Sequence, residues 1–229
     1  MPLKTPSLKD TSLVVSAGRR TDLVSCYPEY LVEKLTGYPP EKVHTIVLWT
    51  KNPANMIHPG PLRDCLLRYR QLFVHLTITG LGGSILEPKI PAWGTVVAML
   101  PGLLELVKSP ERISWRFDPI ISAVAAGSVT ANFDLFPVLA QQMQQLGITT
   151  CRTSWVAPYK KVMRRMEKRG VKLLTCSPEE KAGQAEKLEQ TAAAMNLKIH
   201  YCSSEEFPRS QCIDGRLLTR LHPDSAECS

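Results

Sequence analysis

The sequence predicts an α/β protein built on a parallel sheet of about six strands. Short runs rich in β-forming residues alternate with longer helical runs along the whole chain. Each connection is long enough to hold a helix, as a parallel crossover requires, and several strands are apolar at successive positions. An open doubly wound sheet and a barrel fit this alternation equally well. No linker or compositional break divides the chain, so we expect one domain over residues 1–229.

The elements follow from local signals in chain order. Strands are predicted at residues 13–17, 44–50, 72–79, 112–117, 148–155 and 197–202. Helices are predicted at residues 28–35, 62–70, 95–107, 133–147, 158–173 and 177–196. Pro101 predicts a kink or restart in the third helix, and Gly147 is expected to end the fourth. Ser177, followed by Pro178, is typical of a helix N-terminus.

The composition excludes several classes of protein. The chain is 44% hydrophobic and 21% charged, as expected of a globular domain with a proper core. It contains no run of about 18 apolar residues, so no membrane span is predicted. The segment MPLKTPSLKD lacks the apolar stretch of a signal peptide, and 7 cysteines form an odd set without any CxxC pair. We therefore expect a cytoplasmic protein with reduced thiols.

The formal net charge of +7 predicts an anionic partner, either a small molecule or a nucleic acid. Much of the positive charge falls in the helix predicted at residues 158–173, where seven lysines and arginines face the lone Glu167. Two interpretations stay open for this helix: a nucleic-acid contact, and an ordinary solvated face.

Polar residues follow the end of every predicted strand. Because parallel α/β folds place their chemistry at the carboxyl ends of the strands, we expect these residues to face one shared pocket. The sixth strand ends in Cys202, Ser203, Ser204, Glu205 and Glu206. The catalytic candidates are Lys51, Asp22 and Asp118. The candidates for binding a substrate or cofactor are Arg19, Arg20, Thr21, Trp49, Thr50, Asn52, Thr77, Thr79, Glu87, Arg116, Ser154, Tyr159 and Lys160.

Purely structural roles are also compatible with some of these candidate residues. Arg116 and Asp118 are close enough in sequence to form a structural ion pair with each other. Trp49 is as compatible with packing at the sheet edge as with stacking on a base or ring.

Several segments together resemble the DUF1848 family, an uncharacterised bacterial family of radical-SAM-like proteins. They are SAGRRTDL, IVLWTKNPANM, LTITGLG, ISWRFDPII, SWVAPYKK and QCID, in this order, between Ser16 and Leu221. The resemblance implies a partial (β/α) barrel, a [4Fe-4S] cluster and S-adenosylmethionine as cofactors, and a radical or redox reaction on an unknown substrate. Arginines and carboxylates at the strand ends would hold the amino-acid end of S-adenosylmethionine.

The resemblance also implies a cysteine-rich tail after the QCID segment, where this chain has only Cys228. A cubane cluster needs three closely spaced thiolates, so we expect this chain alone not to assemble one, and a truncated chain is the favoured explanation. Cys202, Cys212 and Cys228 are the only metal-ligand candidates. Two alternatives remain: a cluster-free barrel lyase or aldolase that uses Lys51 as a Schiff-base amine, and a nucleic-acid-binding protein that uses residues 158–173.

Overall fold

A computed structural model describes residues 13–202, 207 and 210–228 of the chain. The predicted polar end of the sixth strand at residues 203–206, and the N-terminal segment at residues 1–10, lie outside the described residues. Within the described residues the strands are β1 (Leu13–Ala17), β2 (Val43–Thr50), β3 (Leu72–Thr77), β4 (Ile113–Ile120), β5 (Ser122–Ala125), β6 (Ser128–Ala131), β7 (Thr150–Trp155), β8 (Val171–Leu174) and β9 (Lys198–Tyr201). The helices are α1 (Leu23–Cys26), α2 (Pro28–Leu35), α3 (Ala54–Ile57), α4 (Pro61–Leu66), α5 (Trp93–Ala98), α6 (Leu100–Val107), α7 (Phe136–Gln145), α8 (Lys160–Glu167), α9 (Pro178–Ala194) and α10 (Gly215–Leu221).

Six strands form one parallel sheet in the order β1-β2-β3-β4-β7-β9. The order follows the chain without any reversal, whereas a doubly wound sheet reverses at a switch point. A strand order that follows the chain is typical of a β/α barrel. The six-stranded parallel sheet confirms the predicted parallel α/β class. Among the described strands β1 and β9 stand at the two ends of the order, so the sheet is open and no closed barrel is formed.

The local signals for helix ends are confirmed. Helix α6 restarts at Leu100 with Pro101 in its first turn. Gly147, two residues after the end of α7, has a φ of 73°, which glycine adopts without strain. Ser177 caps α9 through a capping box with Glu180, in which each side chain bonds the other residue's backbone N–H.

One prediction about the middle of the chain was wrong, and one sheet there was not predicted. The helix predicted over residues 158–173 ends at Glu167, because Gly170 has a φ of 66° and the chain then becomes strand β8. Strand β8 pairs with β5, and β5 with β6, in an antiparallel three-stranded sheet that the sequence did not predict. Strands β5, β6 and β8 are each only four residues long, too short to show a clear alternation of apolar and polar residues.

The chain divides into two compact units. The first contains the residues up to Leu76, Ala98–Ser114 and those from Gln211 onward; the second contains Thr77–Val97 and Trp115–Ser210. The prediction of a single domain stays a prediction. In the first unit Trp49 and Phe73 pack with Val47 and Leu218, and in the second the rings of Trp115, Phe117 and Phe136 pack together. Among the described helices, none combines the length and the apolar character needed to cross a lipid bilayer.

Candidate functional site

Asp22 ties the end of β1 to the end of β2 in the first unit. Its carboxylate Oδ1 accepts a hydrogen bond of 2.9 Å from the backbone N–H of Ser25 and so caps α1. Its Oδ2 accepts bonds from the Thr50 hydroxyl at 3.0 Å and from the Lys51 backbone N–H at 2.8 Å. Both oxygens are therefore engaged, an arrangement that favours a positioning role for Asp22. Its predicted role as a proton shuttle stays a prediction.

Thr50 and Asn52 are committed to the turn that follows β2. The Thr50 hydroxyl oxygen accepts a bond of 3.0 Å from the Asn52 backbone N–H, and Asn52 Oδ1 accepts one of 3.1 Å from the Ala54 backbone N–H. These contacts lead the chain from the strand into α3. They also fix the backbone of Lys51, which is half-buried between them.

An aromatic group supports the predicted arginines at the end of β1. The ring of Trp49 stacks on His75 at 3.9 Å between centroids, and its Nε1 donates a bond of 3.1 Å to the Ser16 hydroxyl. The Arg19 guanidinium lies over the Trp49 ring, 5.8 Å from its centroid. Trp49 is thus a buried core residue, and one face of its ring is directed toward the Arg19 guanidinium. Arg19, Arg20 and Thr21 are exposed.

In the second unit, Arg116, Asp118 and Ser154 meet at the ends of β4 and β7. Arg116 donates to one oxygen of the Asp118 carboxylate, and the Ser154 hydroxyl donates to the other. The side chains of Arg116 and Asp118 are 12% and 18% exposed, so the ion pair is largely shielded but not sealed. The neighbouring Thr153 hydroxyl donates a bond of 2.7 Å to the Phe117 carbonyl and holds the two strands together.

Thr79 and Glu87 also meet in the second unit. The Thr79 hydroxyl is buried and donates a bond of 3.2 Å to Glu87 Oε2. Thr77, at the end of β3, is half-buried. Tyr159 and Lys160 are exposed at the start of α8, and the side chain of neither bonds to Arg116, Asp118 or Ser154.

Asn132 is a residue of this region that the sequence did not reveal. Its side chain is fully buried and makes three hydrogen bonds to backbone groups next to the ends of β3 and β4. Its Oδ1 accepts from the Ile121 N–H at 2.9 Å, and its Nδ2 donates to the carbonyls of Thr79 at 3.1 Å and Pro119 at 3.0 Å. A single asparagine after an unpredicted hairpin carries no motif, so no sequence signal could have found it.

Seven of the predicted site residues therefore form two groups, one within each unit: Asp22, Thr50, Lys51 and Asn52 in the first, and Arg116, Asp118 and Ser154 in the second. The Thr79–Glu87 pair, Tyr159 and Lys160 belong to neither group. That the two groups share one pocket stays a prediction.

A family model described as a domain of unknown function, DUF1848, matches residues 36–227. The chain belongs to the DUF1848 family. The match covers the second group entirely and begins after Arg19, Arg20, Thr21 and Asp22. No curated protein matches the chain, and no solved structure does.

The described cysteines of this DUF1848 chain do not fit a cubane cluster, which takes three thiolates held close together. Cys212 and Cys228 both pack against the apolar cluster around Trp49, and the Cys228 thiol donates a bond of 3.1 Å to the Gly215 carbonyl. The Cys202 sulfur lies 3.7 Å from the Ser210 hydroxyl. Cys151 is fully buried, and burial raises the pKa of its thiol. Among the described residues there is no group of three or more His, Cys, Asp or Glu side chains that could hold a metal ion.

Proposed function

We propose that this DUF1848 chain is a radical-SAM-like enzyme whose residues Arg116 and Asp118 bind the amino-acid end of S-adenosylmethionine. The observation that carries the proposal is the shielded ion pair at the carboxyl end of β4, with Ser154 fixing the Asp118 carboxylate. The parallel α/β fold, wound in chain order, supports it, because ligands of such folds bind at the carboxyl ends of the strands.

The pair matches the charges of the ligand. S-adenosylmethionine carries a carboxylate and an ammonium on one carbon, and a guanidinium next to a carboxylate offers one partner for each. Arg116 would bind the carboxylate in bidentate fashion, and Asp118 would accept from the ammonium. At 12% and 18% exposure these side chains are already largely desolvated, so a polar contact with a ligand is stronger than it would be on the open surface.

The role proposed for these residues is binding and orientation, since the described cysteines do not supply a cluster. We expect the enzyme in the cytoplasm, which is consistent with the absence of a disulfide among the described cysteines.

The test is calorimetric titration of the chain with S-adenosylmethionine. Loss of a charge-assisted contact costs about 1.5–3 kcal/mol, so Arg116→Gln is expected to weaken binding about 10- to 150-fold. The matched control is Arg220→Gln. Arg220 lies on α10 and forms an ion pair of 3.0 Å with Glu111, but this pair is exposed. We expect the control to bind within about twofold of the unaltered chain, as exposed ion pairs contribute little.

Arg116→Gln leaves the Asp118 carboxylate without its cationic partner, which could disturb the fold. The double variant Arg116→Gln/Asp118→Asn removes both charges and separates the two effects, with far-UV circular dichroism as the check on folding. Unchanged affinity in both folded variants, or no binding by the unaltered chain, would reject the proposal. The Lys51 lyase alternative stays a prediction, and trapping of a Schiff base with borohydride and a carbonyl compound tests it.

A further inference from the structure

A cationic surface in the second unit lies outside the group formed by Arg116, Asp118 and Ser154. We define the basic surface by six exposed side chains on α8 and on the turn after it: Lys160, Lys161, Arg164, Arg165, Lys168 and Arg169. Glu167 is the one acidic residue within this stretch. None of the six forms an ion pair with another described residue, whereas Lys34 and Arg220 elsewhere on the surface do.

Packing fixes the direction in which these charges point. Met163 and Met166, on the inner side of α8, pack against Leu173 of β8 and Ile121. In β8 the buried residues Val171 and Leu173 face these methionines, so Lys172, which alternates with them, points to the opposite side and does not belong to the basic surface. The six cations are therefore held on the outer face of α8 and the turn after it.

Tyr159 adds an aromatic ring at one end of the basic surface. It precedes Lys160 directly, and it is 69% exposed. Unpaired cations next to an exposed aromatic ring match a single-stranded nucleic acid, in which phosphates need neutralisation and unstacked bases need a platform. A membrane surface fits less well, because the methionines of α8 point toward the core, and within residues 159–169 Tyr159 is the one exposed large apolar side chain.

We infer that the basic surface binds single-stranded nucleic acid through its phosphates, with Tyr159 stacking on a base. Helix α8 has eight residues, which at about 1.5 Å per residue span about 12 Å. The helix itself carries four of the cations, Lys160, Lys161, Arg164 and Arg165, so we expect the basic surface to neutralise about four phosphates of one strand. The inference is independent of the proposed S-adenosylmethionine site.

The experiment measures fluorescence anisotropy of a labelled single-stranded 20-mer against the full chain at several salt concentrations. Contact with about four phosphates predicts a slope of log K against log salt near about −3. The triple variant Arg164→Gln/Arg165→Gln/Lys168→Gln is expected to lose at least about tenfold in affinity and to reduce the magnitude of the slope by about 2. The control is Lys42→Gln/Arg68→Gln/Lys89→Gln, which removes the same charge from exposed positions outside the basic surface and is expected to change affinity less than about threefold.

Tyr159 separates stacking from general attraction between charges. Tyr159→Ala is expected to lose about 5- to 150-fold in affinity, and Tyr159→Phe is expected to retain the binding of the unaltered chain. The inference is overturned if the two triple variants lose affinity equally, if Tyr159→Ala loses no affinity, or if the unaltered chain does not bind the 20-mer. Equal competition by polyglutamate or by phosphatidylserine vesicles would also overturn it, in favour of an acidic protein or a membrane.

Discussion

Asn132 offers the most quantitative test of how the second unit holds the ends of its strands. Its amide joins three backbone groups, the N–H of Ile121 and the carbonyls of Thr79 and Pro119, in a fully buried position. Pro119 follows Asp118 directly, so this amide lies next to the proposed binding group. The substitution Asn132→Ala removes all three hydrogen bonds at once.

The expected cost follows from the count of bonds. Each hydrogen bond contributes about 1 kcal/mol net, and buried groups left without partners cost at least that much, so we expect a loss of about 3 kcal/mol. For a chain of this size about 1 kcal/mol corresponds to about 2–4 °C, which gives a fall of about 6–12 °C in Tm. Thermal unfolding followed by circular dichroism measures it, with the urea midpoint as a second reading.

Two further variants sharpen the result. Asn55→Ala is the control, because Asn55 is exposed and donates a single bond of 2.9 Å to the Val24 carbonyl, so its loss is expected to stay near about 1 kcal/mol. Asn132→Asp keeps the acceptor for Ile121 but sets a buried carboxylate oxygen against two carbonyls, so it is expected to destabilise at least as much as Asn132→Ala. If Asn132→Ala lowers Tm no more than Asn55→Ala does, the amide does not hold the strand ends.

Two more predictions concern the first unit. Gly18 has a φ of 94°, and an added Cβ would lie 2.8 Å from the Trp49 carbonyl oxygen, so Gly18→Ala is expected to cost at least about 2 kcal/mol in urea unfolding. Gly94→Ala is the control: its added Cβ meets no atom within 4 Å in a helix, so it should be neutral or stabilising, and equal losses in the two variants would contradict the reasoning. Burial and the neighbouring His44 lower the pKa of His222 to about 4, so the folded state holds it neutral. The free energy of unfolding is then highest above about pH 6.5 and falls by up to about 3 kcal/mol as the pH drops toward 4. His222→Gln should flatten this pH dependence. Urea midpoints that fall equally with pH in both proteins would refute the prediction.

Strong local signals made much of the fold predictable. The strand at Leu13–Ala17 and the helix at Pro28–Leu35 lie where the sequence predicts them, because apolar periodicity and a proline at the helix start act over a few residues. The strand at Val171–Leu174 was not predicted because Val171 and Leu173, on either side of Lys172, continue the pattern of the basic helix. Two features separate β8 from α8. Gly170 has a positive φ, and β8 pairs with β5, a strand about 50 residues earlier in the chain.

The candidate site was predictable only in part, because a polar residue after a strand can serve the fold, a ligand or both. The sequence predicts functional roles for Asp22 and Thr50, and the structure engages both in local backbone hydrogen bonds. Asn132 bonds to its neighbours in the same way, and no sequence pattern marks it. Sequence position identifies the edge of the sheet but not the partners that each side chain finds there.

The polar strand ends have a common physical role that explains why nearly every strand carries them. Side chains link neighbouring ends in pairs: Asp22 links β1 to β2, Asn132 links the segments after β3 and β4, and Ser154 links β7 to Asp118 of β4. Parallel strands stop hydrogen bonding where they end, so these side chains replace the missing ladder and hold the edge in one geometry before any ligand arrives. Arg20 lies next to these linkers in sequence, yet its exposed side chain bonds to none of the described residues. That Arg20 contacts an anionic ligand stays a prediction, and its freedom from these links is the property that such a contact requires.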